Sequence, residues 1–259
     1  MITTWYRCVN KGRQRRRRLD AYAARVVASG ARRRQPENTR ERLMLAGERL
    51  FARKGVDRVR LREINELAGQ RNSSALHYHF GSRDGLVLAI LRRHEDEIDA
   101  EVARVLDQWE RDGRDPGVRD IAGAVVRPLA AELTSPSGRD FLRIVPYVVP
   151  GLSATLRAGR AQPMTPQTKR VLDLYEARIA HLPQELRRER LVVYMLMLTA
   201  VLADRAQQLE SKARPSLDHE QFVDHVLDMV EGIFTAPAGG DFDATLSERA
   251  LAGAVSRVD

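Results

Sequence analysis

The stretch Leu61-Arg-Glu-Ile-Asn-Glu-Leu-Ala-Gly-Gln-Arg-Asn-Ser-Ser-Ala-Leu-His-Tyr-His-Phe80 restricts the fold more than any other part of the chain. Leu61, Ile64, Leu67 and Ala68 recur at helical spacing and predict one apolar face. Gly69 supplies the left-handed conformation that ends a helix. Asn72, Ser73 and Ser74 offer N-caps for a second short helix. Ala75, Leu76 and Phe80 give that helix a buried side, and Ser74, His77, Tyr78 and His79 crowd it with hydrogen-bonding groups. Two short helices joined in this way, the second with a polar and aromatic tip, suit a DNA major groove.

The rest of the chain agrees with a helical protein. Of 259 residues 43% are hydrophobic, enough for a core, while only 5% are aromatic, as suits helices rich in Ala, Leu and Arg. The single cysteine, Cys8, leaves no internal disulfide and no Cys-based zinc site. The longest apolar run, Leu191 to Ala203, is interrupted by Thr199 and falls short of the ~20 residues of a membrane span. The start, Met-Ile-Thr-Thr-Trp-Tyr-Arg, lacks the order of a signal peptide. A soluble, cytoplasmic protein with no membrane partner is expected.

Charge is distributed unevenly. Met1–Arg40 carries 12 basic against 2 acidic residues, Glu41–Asp84 carries 9 against 6, and Gly85–Asp259 carries 22 against 27. A basic front on a mildly acidic body points to a polyanion-binding head with a carrier of another purpose. Residues 1–35, with Arg15–Arg18 and Arg32–Arg34, repel themselves and favour disorder in isolation. A solvated tail and a phosphate-binding arm that enters a minor groove are both compatible with that composition.

Glu37-Asn38-Thr39 opens the first helix, capped by Asn38 or Thr39, with Leu43, Ala46, Leu50 and Phe51 inward and Gly55 at its end. After the central stretch, Gly81–Gly85 is a turn with Ser82 as N-cap, and a long amphipathic helix runs from Asp84 to about Trp109. Its middle, His94-Glu-Asp-Glu97, is heavily charged. Helices follow at Val118–Leu133, Arg139–Leu156, Gln167–Leu182, Gln184–Lys212 and Asp218–Phe234, the second kinked or split by Pro146 and Pro150. No β-alternation occurs. The chain therefore reads as all-α: residues 1–35 a basic extension, 36–83 a three-helix head, 84–236 a larger helical body, and 237–259 a weakly ordered tail with a short segment at Leu246–Val255.

Thr39-Arg-Glu-Arg with Ala46, Leu50-Phe51 and Gly55, then Leu61-Arg-Glu-Ile64 with Ala68-Gly69, then Ala75-Leu76-His77-Tyr78-His79-Phe80-Gly-Ser-Arg-Asp-Gly85-Leu86 resembles the TetR family of transcriptional regulators. The match covers about 39–91 in order and close spacing. The body is not matched by sequence, although its helix count and order fit that family's ligand-binding and dimerisation domain. Two departures stand out. The segment from Gly69 to Phe80 runs one residue longer than is usual, which leaves open which side chain reaches which base. The position before Leu61, often a capping Thr, is Arg60, which suits a phosphate instead.

The resemblance implies that Tyr78 and Arg83 bind DNA phosphates, and the chemistry of a Tyr hydroxyl, an imidazole N–H and a guanidinium agrees. Phosphate contacts are thus expected from Arg40, Arg60, Tyr78, His79 and Arg83. Base contacts are expected from Arg71, Asn72, Ser73, Ser74 and His77, since Arg pairs with guanine and Asn with adenine. For His79, packing against the head's core is an equal alternative. No metal role is expected for His77 and His79, because residues two apart on a helix point in different directions.

In the body, Phe141, Tyr147, Tyr175, Tyr194 and Met197 either line a pocket for an unknown small-molecule effector or form ordinary core. The pocket is implied by the resemblance alone. Leu191, Met195, Leu198 and Leu202, with Phe222, Val226 and Met229, make two stripes that either pair a homodimer or cover the protein's own core. The expectation is a ligand-responsive regulator of transcription, a homodimeric repressor that leaves its double-stranded DNA operator when a small molecule binds. The rival is a sequence-nonspecific nucleic-acid-binding protein driven by the arginine-rich arm. No nucleophile–base pair, phosphate-cradling glycine loop or metal-ligand cluster appears, so neither an enzyme nor a cofactor is expected.

Overall fold

A computed structural model of the chain describes residues 36–72, 74–157, 165–211 and 215–238. The basic extension 1–35, Ser73 and the tail from 239 onward, including Leu246–Val255, lie outside the described residues. Every regular element among the described residues is helical.

The first helix, α1, spans Pro36–Lys54. It starts before the caps expected at Asn38 or Thr39, because proline's fixed φ suits a first turn that needs no N–H. Leu43, Ala46 and Phe51 are buried along it and Leu50 packs beside them. A 3-10 turn at Val56–Arg58 leads to α2, Leu61–Leu67, and α3, Ala75–Phe80. Ile64 and Ala68 of the expected apolar face are buried, but Leu67 is 54% exposed. A helix of this length buries one narrow arc; Leu61, Ile64, Asn65 and Ala68 fill it, and Leu67 lies beyond its edge.

Gly69 has φ +66 and stands against the Arg42 guanidinium. A Cβ there would lie 2.5 Å from an Arg42 nitrogen. Gly69→Ala is therefore expected to cost about 1–3 kcal/mol of stability, read as a shift in the urea midpoint, from the strained backbone together with the displaced arginine.

The long helix α4, Arg83–Arg111, begins in the head and continues into the body without a break. There follow α5 (Val118–Ala131), a 3-10 turn (Glu132–Thr134) and α6 (Pro136–Ile144). A second 3-10 turn (Val145–Tyr147) precedes α7 (Val149–Arg157), and α8 (Pro166–Arg178), α9 (Gln184–Glu210) and α10 (His219–Thr235) complete the body. Pro146 splits the expected Arg139–Leu156 helix at the second 3-10 turn. Pro150 does not kink it further, because it occupies the first turn of α7, where no N–H is needed. Side-chain caps explain several starts. Ser82 accepts from the Gly85 N–H at 3.0 Å, Ser135 from Gly138 at 2.9 Å, and Asp218 from Gln221 at 2.9 Å, each worth about 1 kcal/mol.

A single apolar core runs from Leu43 in α1 to Phe234 in α10. Helix α1 packs on α2, α3 and α4, and with its remaining side on α6. Helix α5 is covered by α10, while α9 packs on α6, α7 and α10. No helix among the described residues is long and apolar enough to cross a membrane.

Candidate nucleic-acid interface

The turn between α2 and α3 is closed by backbone bonds. Gly69 N–H donates to the Glu66 carbonyl at 3.0 Å and Gln70 N–H to Asn65 at 2.8 Å. Arg42 of α1 donates to the Ala68 carbonyl at 2.5 Å, holding the end of α2 onto the head. At the far side, Asn72 rather than Ser74 makes the capping contact of α3: its Oδ1 accepts from the Ser74 N–H at 2.9 Å. Leu76, 1% exposed, anchors α3 in the core.

The expected base-reading side chains then face outward. Arg71, Asn72, Ser74 and His77 are exposed, and Ser73 lies outside the described residues. Tyr78 is 70% exposed and touches His79 edge-on, with ring centroids 5.1 Å apart. His79 is half-buried; desolvation, and after it the Arg40 charge, lower its pKa, so the ring is neutral at pH 7. A neutral ring still carries one N–H donor. Arg40 is exposed, with its guanidinium 5.2 Å from the centre of the Phe80 ring.

Arg60 is exposed at the start of α2. The missing Thr cap is replaced from the other end: the Glu63 carboxylate accepts from the Arg60 N–H at 3.0 Å, and Lys54 pairs with Glu63. Arg83, expected on a phosphate, is instead engaged by the head. Its Nη2 donates to the Val59 carbonyl at 2.7 Å, and its buried Nε has no partner. A guanidinium fixed this way holds α4 to the entry of α2, and only its remaining N–H groups face outward.

The five body residues named for an effector pocket do not share a cavity. Phe141 is stacked on His94, centroids 4.5 Å apart, and Tyr147 donates to Asp57 of the head at 3.1 Å. Tyr175 stacks on Phe234 at 4.2 Å and Tyr194 tilts against both rings. The two tyrosine hydroxyls are buried beside each other, and burial raises both pKa values. Met197 is half-buried. The described clefts lie elsewhere, at the turn from α9 to α10. One of about 400 Å³ is lined by Val201, Arg205, Leu217 and Phe222. Its neighbour of about 590 Å³ is lined by Leu133, Arg205, Leu209 and His219. Of the two readings of these positions, ordinary core is the one their packing favours.

The expected pairing stripes need a similar correction. Leu191, Met195, Leu198, Leu202, Phe222 and Val226 are buried within the protein's own core. Of the seven, only Met229 is open, at 49% exposure, together with Val193 and Leu196 of α9. Helix α9 is apolar nearly all round, so periodicity does not say which stripe faces inward.

One cluster escaped the sequence reading. His94 of α4, 6% exposed, lies between two carboxylates. Its Nε2 is 2.7 Å from Glu48 of α1 and its Nδ1 is 2.7 Å from Glu132 after α5. Ser137 of α6 donates to both Glu48 oxygens, at 3.0 and 3.1 Å. The signal was present: Ile90, His94, Ile98 and Val102 recur every four residues, so His94 sits on the inward stripe. Among the described residues no group of His, Cys, Asp or Glu is arranged to hold a metal ion.

A short helix held against the core by Leu76, ending a closed turn and presenting Asn, His and Tyr outward, defines a helix-turn-helix DNA-binding head. Residues 43–90 match the family described as bacterial regulatory proteins, tetR family. Over this head the chain carries the DNA-binding domain of that family of bacterial transcriptional regulators. Solved structures resemble it loosely over a longer span. A TetR-family regulator from Streptomyces coelicolor A3 is 20% identical, with 80% of this chain and 99% of that one covered and a TM-score of 0.40. A protein of Rhodococcus sp. assigned to the same family is 17% identical, covering 77% and 100%, with a TM-score of 0.38.

Proposed function

We propose that this regulator is a cytoplasmic, homodimeric repressor that a small apolar molecule releases from its operator. The exposed face of α3, with Tyr78 standing 70% clear of the head, is the observation that carries the reading. Arg71, Asn72, Ser73, Ser74 and His77 read bases; Arg40, Arg60, Tyr78 and His79 hold phosphates, with the outward part of Arg83. The open apolar side of α9 and α10, with Val193, Leu196 and Met229, supports pairing with a second copy through a four-helix bundle. The cleft of about 400 Å³ at the turn from α9 to α10, lined in part by Val201, Leu217 and Phe222, supports an effector site in the body. Release requires the effector to favour one head spacing over another.

Selection of duplexes from a random pool by the full chain tests the reading. A two-fold sequence bound about 10³-fold better than random DNA is expected; uniform recovery supports nonspecific binding through the basic arm instead. Met229→Lys places a charge in the proposed pairing face and is expected to shift the protein to monomer in sedimentation, with weaker operator binding. An unchanged mass rejects that face.

A further inference from the structure

Head and body meet at the buried pair of carboxylates. Glu48 belongs to α1, which carries α2 and α3; Glu132 and Ser137 belong to the turn and helix that join α5 to α9. Between them the His94 ring reaches both carboxylates at 2.7 Å. Two acceptors demand two N–H donors, and only the doubly protonated ring supplies them. Phe141 lies flat on the ring, 4.5 Å away and 15° from parallel, and limits sideways movement. The second link, Tyr147 to Asp57, is exposed and adds less.

We propose that His94 is a positioning residue that sets the angle of the DNA-binding head on the body, as a charged pin between Glu48 and Glu132. Hydrogen bonds of this length fail within about an ångström of displacement. Moving α1, or the turn that carries Glu132, relative to α4 therefore breaks the pin rather than stretching it. One carboxylate is then left buried without its cation, so the head has a pinned state and a released state with little between. Any molecule that shifts the turn carrying Glu132, from whatever site in the body, acts on the head through this joint. The proposal goes beyond repression and dimerisation, and holds whether or not either is correct.

The test measures head orientation directly. In the full chain with Cys8→Ser, nitroxide labels on Arg58→Cys in the head and Glu176→Cys in the body are read by pulsed electron resonance. Labelled chains are diluted into excess unlabelled protein so that only the distance within one chain is seen. The unmutated joint is expected to give one narrow distance. His94→Gln and Glu132→Gln are expected to shift it or broaden it about twofold, while helix content by circular dichroism stays as in the parent. Glu132→Gln keeps a hydrogen-bonding side chain at the less buried end of the bridge, so it decides the matter even where His94→Gln does not fold. An unmoved, narrow distance in either folded variant overturns the proposal, and so does a loss of helix content that accompanies the broadening, which would mark a merely structural role.

Discussion

Between pH 6.5 and about pH 9.5 the protein is expected to lose roughly 3 kcal/mol of stability in urea melts. Burial alone would push the His94 pKa down, but the hydrogen bonds to Glu132 and Glu48, and their charges, raise it from 6.5 to about 9. A histidine raised in the folded state contributes its stability fully below the unfolded value. That contribution is lost as pH climbs through the folded one, at about 1.4 kcal/mol for each pH unit between them. Other shifted groups fall outside this window. Asp140 is raised to about 6, chiefly by desolvation, so its effect is complete before the window opens. His79 is lowered, and its destabilising protonation occurs in acid. Tyr175 and Tyr194 are raised above the free phenol value near 10. The His94→Gln chain should be less stable by about 3–5 kcal/mol at neutral pH, as expected for one member removed from a buried charge cluster. Its stability should barely change across the same window. A flat profile in the unmutated protein would show that no charged bridge exists.

The second large effect concerns DNA. Tyr78→Ala is expected to weaken binding to every duplex by about 10²–10⁴-fold. A hydrogen bond to a charged group is worth about 1.5–3 kcal/mol, and a two-fold dimer loses it twice. With its side chain 70% exposed, Tyr78 contributes little to the fold, and surface changes stay within about 0.5 kcal/mol. The loss should therefore appear without a change in melting. Asn72→Ala should behave differently, relaxing preference at one base pair by about 1–3 kcal/mol while leaving nonspecific affinity nearly intact. It also removes the acceptor for the Ser74 N–H, so its melting curve needs checking alongside. Affinity for Tyr78→Ala within about threefold of the parent would place the phosphate contacts elsewhere.

Much of this architecture was legible in the chain because local signals are cheap to read. Gly69 ends α2, Ser82 and Asp218 cap α4 and α10, and Pro146 splits a helix, each through a backbone rule that needs no neighbour. Direction was the harder part. Leu67 was assigned inward from its spacing, but a helix as short as α2 has room for Ile64 and Ala68 and not for it. Leu198 and Leu202 fill their own core while Val193 and Leu196, on the same helix, stay open. Hydrophobicity alone does not separate the two sides of α9. His94 shows the opposite failure. Its place on the α4 stripe marked it as inward, yet the charged residues around it suggested water, and only the third dimension brings Glu48 and Glu132 to it.

The packing of α1 on α6 has a practical meaning for transplantation. Helices as short as α2 and α3 are marginal by themselves, and their support passes through α1 into the body. The head is thus less a detachable tool than one end of a beam. A chimera joined at the start of α4 to a foreign body would retain the residues proposed to read bases, yet its α1 would offer Glu48 to whatever side chain happened to lie opposite. The exposed face of α3 would travel with the graft; the angle at which the head is held would have to be rebuilt at the seam.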